Sequence, residues 1–240
     1  MRGLLARTSF RITRSGALNR FDAIPDVMRG LRARGFAPHR IVDCGANVGA
    51  FALKAHAIFP GAIVDMIDPQ PACLTALRRI AQRPGFTVHP FALTAPESAG
   101  TTIQLVITPD AVCTGAHVAS ATGQPCVGVQ AVTLDQLMHR RLGAEERVFL
   151  KLDLQGYELQ ALRGGEATLG QTEVILTEVS FFAQSYEPPI LELMSWFDER
   201  GFALYDIAAL SARARDGRTR QGDFVFVQRT SPLATDTSWA

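Results

Sequence analysis

The chain alternates short apolar runs with stretches whose apolar positions recur roughly every three to four residues. That alternation predicts strands and helices in turn, and so a mainly parallel sheet with helices on both faces. Residues 21–36 carry Phe21, Ile24, Val27, Met28 and Leu31 at helical spacing. Pro38 separates them from a first strand over 40–43. A helix follows over 49–59, closed by Pro60 and Gly61. A second strand covers 62–67 and a third 86–90. Between them a helix runs to about Gln82 from Pro71, whose missing N–H costs little in a first turn.

The rhythm breaks over 95–147. Residues 101–108 and 127–132 are rich in β-branched side chains and read as strands. The Gly/Ala/Ser/Thr/Pro-rich stretch 109–125 between them reads as a loop or hairpin connection. This region is expected to be an insertion carried on the sheet. Thr133 is placed to cap a short helix. Beyond it come an apolar strand over 148–152, a helix from Gly156 through Thr168, and a strand over 174–179. An amphipathic helix over 188–200 follows, with Gly201 as its C-cap. Strands over 202–207 and 223–228 close the pattern. Asp216 and Gly217 lie between these two with no helical pattern, so the pair forms a hairpin and the last strand is antiparallel.

The expected fold is therefore α/β: a Rossmann-like sheet, mainly parallel with an antiparallel last strand. Its expected parts are a helical cap segment over 1–37, one domain over 38–229 with a β-rich insertion at about 95–132, and a flexible polar tail over 230–240.

Composition narrows the function. The 240 residues suffice for one large domain with a substantial core. A net charge of +1 gives no bulk attraction to nucleic acid or a membrane surface. No apolar run approaches the roughly 20 residues that span a bilayer. Arg2, Arg7, Arg11, Arg14 and Arg20 open the chain with no acid among them. The stretch reads as a targeting or membrane-surface segment or as a helix with a basic outer face; the helix is expected, and without a continuous apolar run a secretory signal is not. Cys44, Cys73, Cys113 and Cys126 lack paired spacing. They predict reduced, mostly buried thiols in a cytoplasmic protein and no zinc site.

Residues 41–49 read Ile-Val-Asp-Cys-Gly-Ala-Asn-Val-Gly: an apolar strand ending in an acid, a glycine turn, then a helix. This is the layout of a nucleotide-type cofactor site. A carboxylate at the strand tip suits a cationic or hydroxyl-bearing ligand better than a pyrophosphate. That points to S-adenosylmethionine and away from NAD. Asp43, Asp68 and Asp153 end three predicted parallel strands and so converge on one rim. A lone aspartate there is more often a helix cap or turn former; three in register with a glycine turn form a site. Asp43, Gly45, Ala46, Asn47 and Gly49 are expected around the methionine end of the cofactor. Asp68 is expected to accept both ribose hydroxyls, and Ala92, with Phe91 and Leu93, to lie against adenine.

The chain resembles the FkbM-type family of S-adenosylmethionine-dependent methyltransferases. Residues 43–49 look like that family's first motif. Leu150-Lys151-Leu152-Asp153-Leu154-Gln155-Gly156-Tyr157-Glu158 looks like its second. Residues 133–137, 178–181 and 222–227 fit as well, and the similarity spans roughly 40–228. The resemblance implies a class I methyltransferase sheet and methyl transfer, commonly to a hydroxyl oxygen on a sugar, polyketide or related small molecule. Gln155 stands where the family commonly has glutamate. Asp68 also replaces a frequent glutamate, a change that keeps the ribose role.

A hydroxyl acceptor must lose its proton. Asp153 and Glu178, at the tips of adjacent predicted strands, are the candidate catalytic pair. They act as base or jointly hold Mg²⁺. Glu158 faces the same pocket or pairs with its own helix N-terminus. Lys151 shares a sheet face with Asp153 and needs a carboxylate in so apolar a strand. His56 reads as a packing residue; His89 and His117 are secondary bases. Tyr186 is expected in the acceptor pocket. Arg213, Arg215, Arg218 and Arg220 either meet an acidic substrate or simply solvate the hairpin. Two other readings stand beside this one. One is an NAD-type oxidoreductase, which the missing GxGxxG disfavours. The other is a catalytically silent binding protein. Expected partners are a hydroxylated small-molecule acceptor, no nucleic acid and no membrane span. Acceptor specificity is expected in residues 1–36, the 109–126 loop and the segment after Phe181.

Overall fold

The computed structural model describes residues 19–106, 117–118, 126–143, 145–183 and 187–235. In chain order, β1 (Asn19–Asp22) and α1 (Ile24–Ala33) precede β2 (Arg40–Cys44), α2 (Ala50–Ile58), β3 (Ile63–Ile67), α3 (Pro71–Ile80) and β4 (Phe86–His89). The insertion supplies β5 (Ala92–Leu93), β6 (Thr102–Val106), β7 (His117–Val118) and β8 (Cys126–Val132). Then come α4 (Leu134–Met138), β9 (Val148–Leu152), α5 (Glu158–Arg163), α6 (Glu166–Leu169) and β10 (Thr172–Ser180). Helix α7 (Ile190–Glu199) leads to β11 (Phe202–Ala212) and β12 (Thr219–Gln228).

The main sheet runs β1-β11-β12-β10-β9-β2-β3-β4. Strands β4, β3, β2, β9 and β10 are mutually parallel. Strand β12 is antiparallel to both β10 and β11, as the helix-free connection predicts. The chain leaves central β2 towards β3 and β4, then returns to its other side with β9. A crevice therefore opens at the carboxyl ends of β2 and β9, where ligands of open α/β sheets bind.

Side-chain alternation splits the core into two layers. Ile41, Phe149, Val174 and Val225 face α1, α2 and α3. Val42, Leu150, Ile175 and Phe224 face α4, α5, α6 and α7. Phe149 anchors the first layer, edge-on to Phe36, Phe51 and Phe59.

The insertion makes its own sheet, in the order β5-β8-β6-β7. Ile103, Leu105, Val129 and Ala131 form its small core. Thr133 caps α4 in a reciprocal box with Gln136.

Four expectations need correction. The predicted 21–36 helix starts at Ile24, because Pro25 fixes its first turn and residues 19–22 pair with β11 instead. The predicted 156–168 helix is two short helices. Gly164 and Gly165 interrupt it where a Cβ would collide with the Thr94 carbonyl or Leu134. Residues 230–235 are not a frayed tail: Ser231 caps a 3₁₀ turn, bonds Glu173 at 2.7 Å, and Leu233 is buried. Cys126 is exposed, unlike the buried Cys44 and Cys73. Residues 1–18, most of 109–125, Cys113 and Tyr186 lie outside the described residues.

Candidate active site

The first motif turns tightly over the end of β2. Gly45 has a φ of +78° and donates its N–H to the Ile67 carbonyl at 2.9 Å. A Cβ there would sit 1.9 Å from the Asp153 carbonyl oxygen, so the glycine lets the two motif loops touch. Gly49 has a φ of +80°, and its missing side chain makes room for Ile80. Its role is packing at the start of α2, since a Cβ would strike Ile80 at 2.4 Å.

Asp43 has no exposed surface and sits beneath this turn. Lys151 Nζ lies 3.3 Å from Asp43 Oδ1 and 3.4 Å from Asp153 Oδ2, and donates to the Gly45 carbonyl at 2.9 Å. Burial holds the Asp43 pKa above its ordinary value against the attraction of Lys151. The lysine thus ties both motifs together, as its place in an apolar strand demands.

Asp68 closes β3. Its Oδ2 accepts the Asn47 N–H at 2.7 Å and its Oδ1 the Gln70 N–H at 2.9 Å. Burial raises its pKa, while those two backbone donors pull it down. A carboxylate has roughly four acceptor positions, so both oxygens keep capacity for a ligand.

A cavity of about 340 Å³ opens here. It falls within the roughly 300–1,000 Å³ of small-molecule sites. Gly45, Asn47, Asp68, Ala92, Asp153 and Glu178 line it, six of the nine expected site residues. Asp43, Ala46 and Gly49 do not; they build the turn behind it. Phe91, Leu93, Leu105 and Val118 give the apolar wall, and His117 reaches it from the insertion. Sequence reading missed Gln70, Tyr157 and Gln221 in the lining. Gln221 enters because β12 pairs Gln221 with Ser180 of β10, a register no local pattern shows.

The chemistry is acidic at one end. The Gln155 side-chain amide donates to Asp153 Oδ1 at 2.8 Å. Glu178 receives a hydrogen bond from the Gln221 amide. Burial and then the charge of Asp153 push the Glu178 pKa up to about 9. Glu158 is buried, its Oε1 accepting N–H groups of Leu154 at 2.7 Å and Gly156 at 3.3 Å, with its pKa pushed by burial to about 7. It shapes the second motif's turn and does not line the cavity. Among the described residues no group of three or more His, Cys, Asp or Glu is arranged to hold a metal ion. The arrangement lends the Mg²⁺ expectation no support.

The His89 side chain does not line the cavity either. Its Nε2 lies 2.7 Å from Asp65 Oδ1, in a buried network where Arg40 and Arg141 bond Asp65 at 2.5 and 3.0 Å. His56 packs edge-on to Phe86. In the hairpin, Arg213 pairs with Asp216, Arg218 covers Phe182, and Arg220 lies 3.8 Å from Glu187.

Burial raises the Asp65 pKa, but hydrogen bonds from His89 and Arg40 outweigh it and hold the pKa below the ordinary value. Asp65→Asn is expected to cost about 2–3 kcal/mol in urea unfolding at neutral pH, from lost charge-assisted bonds. The stabilisation from Asp65 is complete above its unfolded pKa of about 3.9 and disappears as pH falls through the lower folded value. The variant's deficit should therefore shrink in acid.

The fold is an open α/β sheet whose switch-point crevice is lined by acids from three strand tips. A sequence model of the methyltransferase FkbM domain matches residues 43–204, and the chain belongs to that family. No curated protein matches the chain. Among solved structures, it is similar to methyltransferase FkbM from Methylobacillus flagellatus KT, with 18% identity and a TM-score of 0.49. That match covers 79% of this chain and 44% of the other, so the chain spans less than half of that protein's length. Precorrin-6y C5,15-methyltransferase from Geobacter metallireducens GS-15 matches at 11% identity, TM-score 0.45, covering 85% and 87% of the two chains. LepI in complex with S-adenosylmethionine matches at 14% identity, TM-score 0.44, covering 90% and 49%. No helix among the described residues is long and apolar enough to cross a membrane.

Proposed function

We propose that the chain is an S-adenosylmethionine-dependent methyltransferase that methylates a hydroxyl oxygen on a small molecule such as a sugar or polyketide. One observation carries this reading: a cavity at the switch point with Asp68 at one strand tip and Asp153 and Glu178 at two others. The donor set suits the cofactor. Asp68 keeps acceptor capacity for two ribose hydroxyls, and Gln70 Oε1 is a buried acceptor with no partner among the described residues. Phe91, Ala92 and Leu93 offer adenine an apolar face. The acids at the far end suit a positive ligand better than a pyrophosphate.

When bound, the cofactor supplies an electrophilic methyl group on a positively charged sulfur. The chain's own part is alignment, which can contribute about 7–11 kcal/mol. Asp68 and the Gly45–Asn47 turn fix one end. Asp153, held by Lys151 and Gln155, fixes the electrostatics of the other. Leu105, His117 and Val118 of the insertion and Tyr157 close the acceptor side.

Methyl-labelled S-adenosylmethionine, incubated with the protein and a panel of hydroxylated sugars and polyketides, tests the reading. Label in an ether of one acceptor is expected. Label appearing on RNA or on an amine instead would overturn it.

A further inference from the structure

We propose that Glu178 reads the charge on the donor's sulfur: its carboxyl gives up a proton when the sulfonium enters the cavity, and takes one from the acceptor hydroxyl as the methyl group leaves. This rests on the cofactor reading above.

Among the described residues, the charged groups set closest around Glu178 are acids. Asp153 lines the same cavity from the end of β9, and Asp223 of β12 stands opposite Glu178 in the strand register; the negative charges of Glu158 and Glu187 add to theirs. Its hydrogen-bond partner Gln221 is a neutral amide. The nearby cations face other groups: Lys151 bonds Gly45 and flanks Asp43 and Asp153, and Arg220 lies towards Glu187. His117 and Tyr157 line the same cavity from β7 and the second motif. With a pKa of about 9, from burial first and Asp153 second, Glu178 is protonated at neutral pH and is no base in the free protein. A permanent positive charge entering the same cavity reverses that balance. Asp153 is unsuited to this task, because Lys151 already compensates it.

The transfer then closes on itself. The acceptor O–H bond breaks and an O–CH₃ bond forms. The C–S bonding pair stays on sulfur, and the proton ends on the Glu178 carboxylate. Sulfur and carboxyl are both neutral afterwards, which restores the resting charge of the site. The base is thus present only while a transferable methyl group is present.

S-adenosylmethionine and S-adenosylhomocysteine differ by the methyl group and its charge, so their comparison isolates the linkage. Calorimetric titrations of the whole chain near pH 7.5, in buffers of low and high ionisation enthalpy, count the protons. The methyl donor should release about one proton and the thioether about none. The preference for the donor should rise roughly tenfold per pH unit between about pH 7 and 9. In Glu178→Gln the thioether should still bind, while the donor's proton release and the pH dependence vanish. Asp153→Asn, which removes a neighbouring like charge, should move the release window to lower pH. Equal proton counts for the two ligands, or release that persists in Glu178→Gln, would overturn the proposal. Failure of a folded sample to bind either ligand would overturn the cofactor assignment beneath it.

Discussion

Lys151→Met is expected to destabilise the protein by about 3 kcal/mol, the low end of the range for breaking a buried ion pair. The lysine is nearly inaccessible and touches three groups at once: the Asp43 carboxylate, the Asp153 carboxylate and the Gly45 carbonyl. Removing it strands Asp43, which has no exposed surface. Because burial already raises the Asp43 pKa, that carboxyl can take up a proton, which keeps the cost from reaching the top of the range. A second change, Asp43→Asn, should recover part of the loss, since no charge is then left buried. Denaturant unfolding of both variants measures this. A single variant within 1 kcal/mol of the natural chain would show that the lysine is not the link between the motifs.

Gly45→Ala should be damaging for a different reason. The left-handed backbone costs a non-glycine residue about 1–2 kcal/mol. The added carbon also meets a backbone oxygen of Asp153, which no side-chain rotation relieves. The first motif must then move away from the second. A displacement of about 1 Å at a reacting centre costs on the order of 100-fold in rate, so the rate of methyl transfer should fall by at least that much, along with the melting temperature. Gly61→Ala is the control, because nothing lies within 4 Å of its added carbon. Equal behaviour of the two variants would refute the close-approach argument.

Both predictions concern residues whose chemistry was readable from the chain and whose geometry was not. The parallel core was legible because its strands are short, mostly apolar runs, as in Val148–Leu152, where Lys151 alone is polar. The tip acids Asp68 and Asp153 were legible because strand order carries strand ends to one rim. Asp43 and Gly49 share the same local pattern, yet they face inward. Sequence spacing gives the position along a strand but not which side of a turn a side chain takes. Strand β1 was hidden because four residues carry too little periodicity to compete with the helix behind them. Gln221 and the all-acid surroundings of Glu178 depend on the register of β12 against β10, which is set by tertiary pairing. His89 looked like a cofactor neighbour because it ends β4. The buried Asp65 beside it turns the ring towards Arg40 and Arg141 instead.

Calorimetric titration of S-adenosylhomocysteine into the natural chain and into Asp68→Ala tests the site most directly. One equivalent should bind the natural chain. The variant should bind roughly 100-fold more weakly or worse, as expected for losing two hydrogen bonds to a charged group at about 1.5–3 kcal/mol each. A folded natural chain that binds none of the ligand, or a variant that binds as well as the natural chain, would contradict the account.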